Sequence, residues 1–98
     1  MRRWTEAIED WTRYMRAMNR RDLTIELRRY QIGRLAEDRL RRSPWRVSAD
    51  DLTAWLAEQD WKPATRHSYV SAIRAFYTWA VETGRTRNNP AKRLRNQP

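Results

Sequence analysis

The chain has no cysteine, so disulfides are excluded and nothing in it speaks for an oxidising compartment. Its one histidine, His67, cannot build a zinc site of the usual His and Cys type alone. Two glycines, Gly33 and Gly84, cannot supply a glycine-rich phosphate loop. No apolar run approaches the roughly 18 residues that a membrane span needs, and no signal peptide opens the chain. A cytoplasmic protein without a membrane partner is the expectation. Valine and threonine runs at strand period are missing, and prolines number only four. What remains is a helical composition, with six tryptophans, four tyrosines and one phenylalanine as bulky core material. At 98 residues it suits one small domain.

Charge is what the chain has in excess: 21 basic residues against 12 acidic ones, a net +9. Nineteen of the basic residues are arginines, whose planar fork matches phosphates and guanine edges. The signs are segregated. Residues 20–46 hold nine arginines against four acids, and residues 85–98 hold five basic residues and no acid. Residues 47–61 hold Asp50, Asp51, Glu58 and Asp60 and no basic residue. A merely solvated surface mixes its signs, so this segregation points to a polyanionic partner, a nucleic acid.

The stretch 63–84 organises the rest. Pro63 suits a first helical turn and Gly84 the position just past the end. Thr65, Tyr69, Ala72, Ile73, Phe76, Tyr77 and Ala80 gather on one side, flanked by Val70, Trp79 and Val81. So broad an apolar arc predicts a central helix with neighbours on several sides. His67, Ser71, Arg74 and Thr78 form the one polar stripe left outward.

Ahead of it, Trp4, Ala7, Ile8, Trp11, Tyr14, Met15 and Met18 predict a first helix over about residues 4–18. Glu6, Glu9 and Asp10 fall near its start, as the helix dipole favours. After a basic turn at residues 19–22, Asp22 or Thr24 can cap a second helix running to about residue 42. Its inward face is Ile25, Ile32, Leu35, Ala36 and Leu40; Leu27, Tyr30 and Arg34 share the opposite side. Arg28 and Arg29 sit near its beginning, against the dipole, and phosphate contact would give them a reason. Residues 43–47 read as a loop that tucks Trp45 and Val47 against the bundle. Ser48 with Asp51 reads as a capping arrangement for a short third helix with Leu52, Trp55, Leu56 and Gln59 on its inner face. Asn89-Pro90 marks a turn or a brief helical start.

The succession TIELRRYQIGRL, PWRVSADDLTAWL, PATRHSYVSAIRAFYTWAVETG and NNPA resembles the N-terminal core-binding domain of tyrosine recombinases, the phage integrase family, in its actinobacterial form. The resemblance covers nearly the whole chain, and the run FYxWAxxxGxxxxNPA is its most specific part. It implies an all-α fold: a four-helix SAM-like orthogonal bundle with a short C-terminal helical turn. The domain is then residues 1–88, with residues 89–98 a linker toward a C-terminal catalytic domain absent from this chain. Such a domain clamps one face of the core recombination site in double-stranded DNA, with the starts of the second and fourth helices at the major groove. Carried over, the contacts are Thr24, Arg28, Arg29, Thr65, Arg66, His67, Tyr69, Ser71 and Arg74, joined by Lys92 and Arg93. Tyr69 also lies on the apolar arc, where burial is the other reading.

No catalytic residue is expected. The family's HxxR is missing, since the one histidine, His67, is followed by Ser68, Tyr69 and Val70 rather than by an arginine at the third place. Ser68 and His67 are neighbours that point apart on a helix. Asp50 and Asp51 read as first-turn dipole partners rather than an acid–base pair. No cofactor is implied, and the domain alone reads as a monomer. A helical protein-interaction adaptor docking a partner through exposed Trp and Tyr residues is the alternative.

Overall fold

The computed structural model describes residues 2–38 and 43–94. It is all-helical: α1 (Arg2–Ala17), α2 (Asp22–Asp38), a 3₁₀ turn (Pro44–Arg46), α3 (Ala49–Ala57) and α4 (Pro63–Glu82). No strand occurs among the described residues. The contacts fall into two units, residues 1–44 with α1 and α2, and residues 45–98 with the 3₁₀ turn, α3 and α4. The expected core position of Leu40, and the last turn of the second helix to residue 42, lie outside the described residues.

In the first unit α1 packs on α2. Trp4, Ala7, Trp11 and Met15 are buried, as their spacing predicts. Thr12 is buried as well, and its hydroxyl donates to the Ile8 carbonyl at 2.7 Å. Met18, expected in the core, is 52% exposed. The helix ends at Ala17, so Met18 falls on the cap and leaves the apolar face. The helix also starts at Arg2, earlier than expected, and its first turn holds no acid. Glu6, Glu9 and Asp10 therefore lie past the dipole's short reach.

Asn19 closes α1 in the left-handed conformation (φ 60°), which its short polar side chain tolerates. The Asn19 N–H donates to the Arg16 carbonyl and the Arg20 N–H to the Met15 carbonyl, both at 3.0 Å. These two bonds make a Schellman closure. The first helical bond of α2 runs from the Ile25 N–H to the Arg21 carbonyl at 3.0 Å. Arg21 thus holds the cap position. Asp22 and Thr24, the two candidate caps, both lie inside the helix, Asp22 in the first turn where it serves the dipole. Ile25, Gln31, Ile32, Leu35 and Ala36 are buried.

In the second unit, Trp45 stacks on Phe76 with ring centres 5.9 Å apart, and Val47 is buried. Ser48 and Asp51 form a full capping box: the Asp51 N–H donates to Ser48 Oγ at 3.0 Å and the Ser48 N–H to Asp51 Oδ2 at 2.9 Å. Leu52, Trp55 and Leu56 supply the buried face of α3. Lys62 is extended (φ −66°, ψ 155°), and Pro63 opens α4 where its missing N–H has no bond to lose.

Tyr69, Val70, Ala72, Ile73, Phe76, Tyr77, Trp79 and Ala80 are all buried, which makes α4 the central helix of this unit. Thr65 and Val81, assigned to the same arc, are exposed in its first and last turns. Gly84 (φ 77°) ends the helix as predicted. Its N–H donates to the Val81 carbonyl and the Arg85 N–H to the Ala80 carbonyl, a second Schellman closure. Asn89 Oδ1 then accepts from the Ala91 N–H at 2.9 Å, starting a hydrogen-bonded turn over residues 90–93. Ala91, inside the stretch read as a linker, is 1% exposed.

Candidate nucleic-acid interface

The two arginines at the start of α2 have different surroundings. Arg29 Nη1 donates to Thr12 Oγ1 at 2.6 Å, and its Nη2 lies 2.7 Å from Glu9 Oε1. Arg29 therefore ties α2 to α1 and has its charge matched. Arg28 is half-buried, with its guanidinium carbon 6.0 Å from the centre of the Trp11 ring. Among the described residues it has no carboxylate partner. Burial and then the positive charge of Arg20 lower its affinity for its proton below the ordinary arginine value. A partly desolvated guanidinium with a second positive charge acting on it is a locus that an anion would relieve.

Arg20 was not among the residues singled out from sequence. The signal was present in the basic turn at residues 19–22, but its geometry depends on Asn19 adopting a left-handed conformation. A neighbouring cleft of about 430 Å³ in the same unit is lined by Glu9, Arg16, Asp22, Ile25, Glu26 and Arg29. Its mixed signs do not suit a polyanion.

The start of α4 differs from that of α3. The α3 start is closed by its own capping box and carries Asp50 and Asp51. The α4 start has no side-chain cap, no acid in its first turn, and a lysine at the cap position. Thr65 and His67 are exposed there. Further along, Ser71 is half-buried and Arg74 exposed, so the outward polar stripe is as expected.

Arg66 faces inward. Its Nη1 donates to the Leu56 carbonyl at 2.6 Å and its Nη2 to the Gln59 carbonyl at 3.0 Å. The guanidinium carbon is 5.9 Å from the Trp61 ring centre. It holds the negative end of α3 against the start of α4. Tyr69 is buried and stacked on Trp61, with ring centres 4.0 Å apart. Both side chains are committed to the fold, Tyr69 by burial and Arg66 by its two carbonyls. In the first unit, Thr24 is half-buried; in the second, Lys92 and Arg93 are exposed.

None of the six tryptophans is exposed: Trp4, Trp11, Trp55 and Trp79 are buried, and Trp45 and Trp61 are half-buried. Of the exposed Trp and Tyr residues on which a docking adaptor would rely, the structure offers Tyr30 and no tryptophan. Among the described residues there is no cluster of metal-ligating side chains, and no helix is long and apolar enough to cross a membrane.

No family model and no curated protein matches the chain. Among solved structures, the integrase from mycobacterium phage Brujita is similar, with a TM-score of 0.83 and 24% sequence identity. The match covers 93% of this chain and 32% of the integrase, so the chain spans about a third of that protein's length. At this identity the likeness is one of fold: the chain has the helical fold of an integrase segment.

Proposed function

We propose that the chain is the DNA-binding module of a phage-type integrase, a site-specific tyrosine recombinase. In this reading it is the SAM-like core-binding domain, clamping one face of the core attachment site while a C-terminal catalytic domain clamps the other. The fold likeness to a phage integrase supports it, as does the +9 charge. The observation that carries duplex binding is the half-buried Arg28 beside Arg20, with no carboxylate to match it among the described residues. A phosphate oxygen is the partner this pair lacks.

The proposed contacts are Arg20, Thr24 and Arg28 at the start of α2, and Thr65, His67, Ser71 and Arg74 along the outer stripe of α4. Lys92 and Arg93 add phosphate contacts after α4. Arg29 and Arg66 hold the helices in place rather than touching DNA, and Tyr69 is core. In this reading the chain contributes binding, and strand cleavage belongs to the catalytic domain.

The test is a duplex titration at two salt concentrations. Affinity should fall steeply with salt, because each neutralised phosphate releases counterions. Arg28→Ala should weaken binding to every duplex about equally and flatten the salt slope by about one unit. A binding constant indifferent to salt would sink the reading.

A further inference from the structure

Three large apolar side chains stand on the outer face of α2: Leu23 is 80% exposed, Leu27 49% and Tyr30 60%. Their spacing of four and three residues puts them in one line along the helix. Single exposed apolar residues need no explanation, but a line of three on one short helix does. A second feature of the same helix is unexplained by the fold. Gly33 sits in its interior, and a Cβ there would meet nothing within 4 Å. A glycine at such a place costs helix stability without serving the packing of this chain. It leaves the backbone open to approach from outside.

We infer that Leu23, Leu27 and Tyr30 form a base-reading line that packs against thymine methyl groups in the major groove. This inference rests on the proposed DNA binding of α2 and adds to it the residues that choose the sequence. The size fits. From Leu23 to Tyr30 the helix rises about 10 Å, which matches about three base-pair steps of roughly 3.4 Å. A stable protein interface takes roughly 20–30 residues a side, far more than this line offers. The thymine C5-methyl is the apolar group that the major groove presents. Charge agrees as well. Arg20 and Arg21 lie just ahead of the line, where the phosphates would run. Glu26 lines the cleft with Glu9 and Arg29 instead, to the side of the line. Gly33 then lets the DNA backbone come close to the helix.

The experiment uses the full chain and a preferred duplex selected from a random pool. Each thymine of that duplex is replaced singly by deoxyuridine, which removes only the methyl group. The wild-type chain should lose about fourfold in affinity at each of two or three adjacent positions, the worth of one buried methyl. Leu27→Ala should bind thymine and uracil duplexes equally at one of those positions while keeping its salt slope. Because each variant is compared with itself on two duplexes, a partial loss of folding cancels.

A wild-type chain that prefers one sequence yet treats every uracil duplex like thymine would overturn the inference. So would a Leu27→Ala chain that keeps the full thymine preference. Self-association of the wild-type chain that Leu27→Ala abolishes would give the line to a protein partner, and the inference fails. Absence of any salt-dependent duplex binding would instead remove the underlying reading, so the two failures are told apart.

Discussion

Arg66 separates what a sequence motif suggests from what a side chain does. Removing it as Arg66→Ala takes away two charge-assisted hydrogen bonds, at 2.6 Å to the Leu56 carbonyl and 3.0 Å to the Gln59 carbonyl. A bond from a charged donor contributes about 1.5–3 kcal/mol. Both bonds are only part-buried and share one guanidinium, so the lower end applies and the pair should be worth about 2–3 kcal/mol. The alkyl stem beside Trp61 adds packing on top. In a domain of this size such a loss lowers the melting midpoint by roughly 10–20 °C. Arg66→Lys should recover about half, since one ammonium on a flexible stem cannot span both carbonyls as the planar fork does.

The assay is thermal melting by far-UV circular dichroism, paired with duplex titration at 25 °C. A domain of 98 residues has about 5–15 kcal/mol of total stability, so the variant remains folded at that temperature. Its duplex affinity should then change little, and by the same factor on every sequence. A variant that melts like the wild type but loses its preference for one duplex would refute this. Arg66 would then reach a base edge, and the carbonyl contacts would be incidental.

Gly33→Ala should raise stability by roughly 0.5–1 kcal/mol, because the helix gains propensity and the added Cβ meets nothing; a denaturant midpoint that falls would mean a contact is being crowded. Phe76→Ala should cost about 3–5 kcal/mol, since the ring is fully buried and stacks on Trp45, and an unchanged melt would take Phe76 out of the core. Burial, with the nearby charge of Asp51, raises the Tyr77 hydroxyl well above its ordinary value. The unfolded chain therefore sheds that proton from about pH 10 upward while the folded one keeps it. Stability should be intact below that pH and fall above it, and Tyr77→Phe should make the fall shallower by about one proton in urea titrations across the range.

How much was legible beforehand follows from which interactions are local. The capping box at Ser48 and Asp51, Pro63 at the first turn of α4 and Gly84 beyond its last turn are decided within a few residues, and each could be read from the letters. The buried faces were legible for the same reason, since Trp4, Trp11, Ile73 and Phe76 declare themselves by helical period. Failures came where the period meets a helix end. Met18 continues the apolar spacing, yet the left-handed turn at Asn19 stops the helix before it can point inward. The arginines were the least legible. Arg28, Arg29 and Arg66 look equivalent as letters, and what distinguishes them lies across the fold: Glu9 and Thr12 for one, two carbonyls for another, and no carboxylate among the described residues for the third. Arginine counts can point to a polyanion, but only the partners of each guanidinium decide which charge is left for it. By that measure a base-rich sequence overstates its binding surface. Two of its candidate arginines hold helices together, and the proposed anion site falls to Arg28 and to Arg20, which the motif did not contain.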